Sequence, residues 1–185
     1  MISALALVGM PGSGKSLCAA HLHQRGFYQF RFGQIVVDEV ARRGWVLTPD
    51  NERIVREEFR REEGMDAIAR RALPYLQDAL TRHPTIIIDG LCSFSEYKML
   101  RQVFGGQMVL AAIVCERALR YQRLATRTER PLTAEEAERR DYLEIENLEK
   151  GGSIAIADFT LLNNGEPDAL YIQLDGLIER LDLHP

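Results

Sequence analysis

Cysteine, lysine and long apolar runs are scarce in this chain. Its 185 residues include three cysteines, Cys18, Cys92 and Cys115, odd in number and widely spaced. That pattern excludes a disulfide framework and a cysteine-based metal site, and it fits a reduced, intracellular setting. The apolar run Ile2 to Val8 is too short to span a bilayer and lacks the basic start and cleavage site of a secretory signal. A cytoplasmic protein without a membrane partner is therefore expected. No internal repeat or low-complexity stretch is visible. Positive charge is also in deficit: 23 basic against 27 acidic residues give a formal charge of -4. This excludes a chain held on nucleic acid by bulk charge, though not a local basic site. Only Lys15, Lys98 and Lys150 of the basic residues are lysines; the other twenty are arginines.

What is present is ordinary globular composition, 46% hydrophobic and 27% charged, in a length that suits one domain with a small insertion. Ile2 to Val8, Thr85 to Ile88, Met108 to Val114 and Phe159 to Leu162 are apolar or β-branched runs, and Tyr28 to Phe32 alternates with polar residues. Between them lie helical stretches at about 15–25, 34–43, 51–63 and 66–82, the last carrying Pro74, which is expected to kink or split it. Ser93 with Glu96 and Thr133 with Glu136 have capping-box spacing. They start helices running to about Gly105 and about Lys150, and a helix begins near Glu116 between them. A closing helix covers about 168–183. Five strands alternating with helices read as an α/β fold, a parallel sheet covered on both faces.

The strongest signal is Gly9-Met10-Pro11-Gly12-Ser13-Gly14-Lys15-Ser16. It matches the G-x-x-x-x-G-K-[ST] phosphate loop and stands between a buried strand and a helix, where that chemistry needs it. Its glycines let backbone amides close on phosphate oxygens, Lys15 reaches the β- and γ-phosphates, and Ser16 can ligate Mg²⁺. Asp89, at the end of the strand that reads Thr85-Ile86-Ile87-Ile88-Asp89-Gly90, can hold Mg²⁺ through water; the alternative is a plain Asp-Gly turn.

Arg117, Arg120, Arg123, Arg127 and Arg130 recur at helical spacing after the fourth strand. Guanidinium forks suit phosphate oxygens and flat bases. The competing reading is a solvated face paired with the acidic stretch Glu135 to Glu149. The polar segment 125–140, with Pro131, is a candidate mobile lid that brings Arg130, Arg139 or Arg140 to the triphosphate. A guanine box Asn-Lys-x-Asp is missing: Asn163-Asn164-Gly165-Glu166 stands in its place, which argues against a signalling GTPase. His21, His23 and His83 form no hydrolase triad with the serines and aspartates.

In this order, phosphate loop, Asp-Gly strand end, arginine helix, lid and final strand, the chain resembles the nucleoside monophosphate kinase branch of P-loop kinases. Within that branch it is most similar to an uncharacterised adenylate-kinase-like group, also akin to dephospho-CoA kinase. The likeness covers nearly the whole chain and rests on Gly9 to Ser16, Phe32-Gly33 to Gly44, Ile87 to Gly90, Arg140-Asp141 and Ala157 to Gly165. It implies a three-layer P-loop NTPase sandwich with strand order 2-3-1-4-5, a single domain with the acceptor over helices at about 33–83 and a lid at about 125–140. It implies adenine between Arg123–Arg127 and the Asn163 to Gly165 loop. The nucleotide-binding set is then Gly9, Met10, Pro11, Gly12, Ser13, Gly14, Lys15, Ser16, Cys18, Arg123, Arg127, Asn164 and Gly165. The catalytic set is Lys15, Asp89, Arg127, Arg130 and Arg140, and Mg²⁺ falls to Ser16 and Asp89.

Two positions depart from the branch. Where it usually reads Gly-Asp-x-x-Arg, with the arginine gripping the acceptor phosphate, this chain has Gly33-Gln34-Ile35-Val36-Val37. Where a second acceptor arginine often follows the Asp-Gly, it has Leu91-Cys92-Ser93. Arg31, Arg42, Arg43 or Arg53 are the candidate replacements. The expected activity is phosphoryl transfer from ATP, with Mg²⁺, to a small-molecule acceptor, nucleotide or alcohol. For an alcohol, Asp89 or else Asp38 takes the proton. The competing expectation is an ATP-binding or slow ATPase regulatory protein with no small-molecule acceptor. Neither a membrane nor nucleic acid is expected as partner.

Overall fold

The computed structural model describes residues 1–128 and 130–185. Five parallel strands, β1 (Ala4–Val8), β2 (Tyr28–Arg31), β3 (Ile86–Asp89), β4 (Met108–Val114) and β5 (Phe159–Leu162), lie in the order β2-β3-β1-β4-β5. The expected sheet is thus found, strand order included. Side chains alternate across it. Leu5, Leu7, Ile87, Val109, Ala111 and Ile113 pack against α1 (Lys15–Gln24) and α9 (Pro167–Arg180). Ala4, Ala6, Val8, Ile86, Ile88, Leu110 and Ala112 face the other way, towards α2 (Phe32–Arg42), α3 (Pro49–Glu63), α4 (Ala67–Leu80) and α5 (Phe94–Phe104). A strand buried on both faces must be apolar at every position, which is why these runs read as continuous rather than alternating. Each fully buried Leu or Ile contributes about 1.5–3 kcal/mol.

The chain reverses direction across the sheet at β1, whose neighbours are β3 and β4. In open parallel sheets, ligands gather at the carboxyl ends of the strands at such a point. The register brings the functional residues there: Leu7 lies opposite Asp89, and Arg31 lies opposite Asp89 from the other side.

Local sequence explains the helix ends. The Thr48 hydroxyl accepts from the Asn51 amide at 3.2 Å and Pro49 occupies the first turn, so α3 starts two residues before Asn51. Both capping boxes form, opening α5 and α7 (Ala134–Glu146). Pro74 does not split α4, which runs unbroken through it. Pro74 and Arg70 are both exposed, so the carbonyl that loses its helical partner faces water. The charged helix expected to reach Lys150 stops at Glu146. Glu149 then takes a left-handed turn (φ 54°) and a short helix, α8 (Lys150–Ala155), begins. The turn carries Lys150 into the interior, where it donates to Glu144. Of the candidate lid, whose Glu129 lies outside the described residues, α6 (Arg117–Thr126) takes in the first two residues and α7 supplies the second part. No described helix is long and apolar enough to cross a membrane.

Candidate functional site

The loop between β1 and α1 is shaped by what cannot fit there. Gly12 has φ 78°, and a Cβ on it would lie 2.8 Å from the Arg120 carbonyl oxygen. Gly14 has φ 104°, and a Cβ on it would overlap the Asn163 amide. Only glycine meets both demands, left-handed backbone and close approach. The Ser13 amide donates to the Met10 carbonyl at 3.1 Å, closing the turn, and Asn163 Nδ2 donates to the Ser13 carbonyl at 2.8 Å from the β5 side. Among the described residues no side chain caps α1, and its first turn holds no acid. Its amides and dipole therefore present an unopposed positive end, the setting for a phosphate. The Ser13 hydroxyl is buried there without a hydrogen-bond partner among the described residues.

Beside the loop opens a cavity of about 600 Å³ that gathers Lys15, Asp89, Arg130 and Arg140, four residues expected to act in catalysis. Lys150, which the sequence offered no reason to place here, joins them. Burial lowers the pKa of Lys15, and Lys150 lowers it further. Arg127 donates from Nε to the Arg130 carbonyl at 2.5 Å; burial lowers its pKa, as do Arg140 and Arg130. It braces the segment that carries Arg130 and does not line the cavity. Glu144 is the main counter-charge. Burial opposes its ionisation, but Lys150 and Arg140 hold its carboxyl below the usual range. Arg140 Nε donates to Glu144 at 3.1 Å. Six cations against four carboxylates (Glu52, Asp89, Glu96 and Glu144) line the cavity, a positive excess that suits an anion.

Asp89 accepts from Gln29 Nε2 at 2.9 Å and has Arg31 Nε at 3.6 Å. Ser16 is exposed in the first turn of α1. These two hard oxygens are a donor set that Mg²⁺ takes when phosphate oxygens and water supply the rest. Among the described residues there is no cluster of three or more His, Cys, Asp or Glu that would build an all-protein metal site.

The far wall of the cavity answers the missing acceptor arginines. Arg31, Arg42, Arg43 and Arg53 do not line it. Arg31 stands by Asp89, Arg42 and Arg43 are spent on Glu39, and Arg53 pairs with Glu57. The cavity is instead faced from α3 by Arg56 and Arg60, with Glu52 3.4 Å from Arg56. Val36 rather than Val37 lines it, beside Phe32, Ile68 and Leu91. Cys92 also lines it; its Sγ donates to the Gly90 carbonyl at 3.1 Å, and burial pushes the thiol pKa up. Asp38 does not line this cavity; it takes a hydrogen bond from Gln34 at 2.7 Å and faces a separate hollow.

On the other side of the loop a hollow of about 340 Å³ is lined by Gly14, Leu17, Leu119, Arg123 and the segment Asn163 to Pro167. Arg123 is fixed there by the Asn163 carbonyl (3.0 Å), Cys115 Sγ (3.2 Å) and the Gly165 carbonyl (3.3 Å). Asn164 accepts from the Glu116 amide at 2.9 Å. Arg123, Asn164 and Gly165 thus meet as expected. Asn163, buried and bonded to the loop, is an addition. Cys18 does not join them: its side chain lies wholly in the core between sheet and helices, and burial pushes the thiol up to about 12.

The arginine series divides. Arg120 is buried, forks onto Asp141 (3.0 and 2.5 Å) and donates to the Pro11 carbonyl at 2.9 Å, tying α6, α7 and the phosphate loop together. Tyr121 donates to the same carboxylate at 3.2 Å. Arg117 leans towards Glu138 at 3.8 Å. For these two arginines the pairing with the acidic helix is the one realised.

Residues 5–144 match the AAA domain. A UPF0200 protein from Thermococcus gammatolerans is 34% identical over 178 residues, covering 95% of this chain and 93% of the relative. A UPF0200/UPF0201 protein from Archaeoglobus fulgidus is 36% identical over 163 residues, covering 87% of this chain; the match spans 50% of that relative's length. Among solved structures, shikimate kinase from Bacteroides thetaiotaomicron superposes with a TM-score of 0.61 at 12% identity, covering 99% of this chain and 100% of that one. At that identity the likeness is one of fold.

Proposed function

The chain belongs to the UPF0200 family and to the AAA-domain family, and on that premise we propose that it transfers the γ-phosphoryl group of ATP to a small-molecule acceptor. The observation that carries the reading is the convergence of Lys15, Asp89, Arg130 and Arg140 on one cavity beside the phosphate loop. The loop amides and Lys15 hold the phosphates. The adenine side falls to the Arg123 and Asn163–Gly165 hollow. Ser16 and Asp89 would hold Mg²⁺, which when bound neutralises charge on the phosphates. Lys15, Arg130, Arg140 and Lys150 supply fixed positive charge where charge spreads over the transferred group. The acceptor sits against α3, in reach of Arg56 and Arg60. If its attacking atom is an alcohol oxygen, Asp89 takes the proton; a phosphate oxygen needs no base. The fold is shared with shikimate kinase.

The test is ADP formation by purified protein against a panel of nucleotides and small anionic alcohols. One acceptor raises the rate, and Lys15→Ala lowers that rate by about 10²–10³, the usual cost of removing a preorganised donor. A slow ADP formation that no acceptor stimulates supports the regulatory ATPase reading instead.

A further inference from the structure

Among the described residues, two buried polar groups of side chains that line the acceptor cavity have no partner: Nε and Nη2 of Arg60, and Oε1 of Glu96. Both belong to side chains that line the cavity, one from α3 and one from the first turn of α5. Glu96 has no solvent exposure. Its other oxygen, Oε2, accepts two backbone hydrogen bonds, from the Cys92 amide at 2.8 Å and the Ser93 amide at 2.9 Å. With both lone pairs of Oε2 engaged, any proton on this carboxyl resides on Oε1, the oxygen left without a partner among the described residues. A buried guanidinium edge and a buried carboxyl edge left unmade, each costly in a finished core, together mark a place shaped for something else.

We propose that Arg60 and Glu96 form the anion-binding floor of the acceptor cavity, Arg60 donating from Nε and Nη2 and Glu96 donating a proton from Oε1 to the same fully ionised group. The acceptor class that fits carries a carboxylate or phosphate in addition to its phosphoryl-accepting atom. This rests on reading the cavity as the acceptor site. The proton balance is explicit: an anion with no hydrogen of its own cannot meet an ionised carboxylate, so its binding takes up one proton onto Glu96. Burial raises the pKa of Glu96, against the pull of its own amide bonds and of Arg60 and Lys150, so the protonated form is accessible. The other charged groups around it are Glu52 and Arg56 on α3, Arg140 and Glu144 on α7, and Arg130 in the segment before α7. Lys15 on α1, Asp89 at the end of β3 and the Cys92 thiol complete the set.

Sulfate is the probe, because it stays a dianion without a proton across the working pH range. The protein is first saturated with Mg²⁺ and a non-hydrolysable ATP analogue to fill the phosphate loop, and sulfate is titrated at a series of pH values. In wild type, sulfate affinity is expected to fall about tenfold per pH unit once Glu96 ionises. Glu96→Gln, whose amide keeps an acceptor for Cys92 and Ser93 and offers a permanent donor, binds sulfate with no such fall. Arg60→Met loses at least tenfold in affinity at every pH. The protonated-carboxyl band in the infrared grows when sulfate is added to wild type, a readout that needs no variant. A pH dependence that survives in Glu96→Gln, or sulfate binding that Arg60→Met leaves intact, overturns the proposal; so does sulfate that binds without changing the carboxyl band, as an adventitious ion only. If the ATP analogue itself does not bind, the phosphotransferase reading fails. The difference between wild type and Arg60→Met still reports on this floor.

Discussion

Lys15 is held in an unfavourable place. It is half-buried and partly desolvated, and Lys150 lines the same cavity, so its folded-state pKa falls below 10.5. Between that lowered value and 10.5 the unfolded chain binds the extra proton, so stability rises with pH through this window and the charged form is a cost at neutral pH. Lys15→Met is therefore expected to raise Tm by a few degrees while abolishing turnover, measured by thermal unfolding of the nucleotide-free protein. An unchanged or lower Tm would show that the loop pays no such cost. Gly14 is the opposite case. Gly14→Ala meets both a left-handed φ and the Asn163 amide, so a fall in stability of about 1–3 kcal/mol is expected in denaturant titration. Lys15, Ser16, Gly12 and Gly14 were readable because the motif ties each residue type to a task. Lys150, Arg60 and Glu96 were not, because a lone lysine in a charged helix, an arginine among many on α3 and a capping glutamate carry no local sign of facing a cavity.

At the scale of elements, the Arg120–Asp141 fork is the fastening that matters. It joins α6 to α7 and, through the Pro11 carbonyl, both to the phosphate loop. Asp141→Ala leaves a buried guanidinium uncompensated, and about 3–5 kcal/mol of destabilisation is expected. Replacing both partners with apolar residues is expected to recover much of that, read by urea unfolding of the double variant beside the single ones. A cost below about 1 kcal/mol for Asp141→Ala would mean that the pair is solvated and the fastening absent. Strands and capped helices were legible almost to the residue, since runs such as Met108 to Val114 and boxes such as Ser93/Glu96 are local signals. The break at Asn147 to Glu149 was not, because nothing local marks the left-handed turn at Glu149 that buries Lys150 against Glu144. Pro74 misled for the same kind of reason: proline disrupts a helix less where the orphaned carbonyl meets water.

At the scale of the whole molecule, a net charge of -4 coexists with a cavity where Lys15, Arg56, Arg60, Arg130, Arg140 and Lys150 converge. Twenty arginines distributed along a sequence say little until the fold divides them. Among the described residues seven pair with an acid one helical turn away, as Arg53 does with Glu57 and Arg70 with Asp66. The cavity group is drawn from α1, α3, the segment before α7, α7 itself and α8, so no window of sequence contains it. The parallel sheet makes this assembly possible by bringing the ends of β1 and β3 side by side. The most direct measurement follows the γ-phosphoryl label of ATP through the purified protein in a mixture of small metabolites. Wild type is expected to move the label into an organic molecule that carries an anionic group, and Lys15→Ala to do so about 10²–10³ times more slowly. Label recovered only as inorganic phosphate, with no organic product under any mixture, would contradict the account.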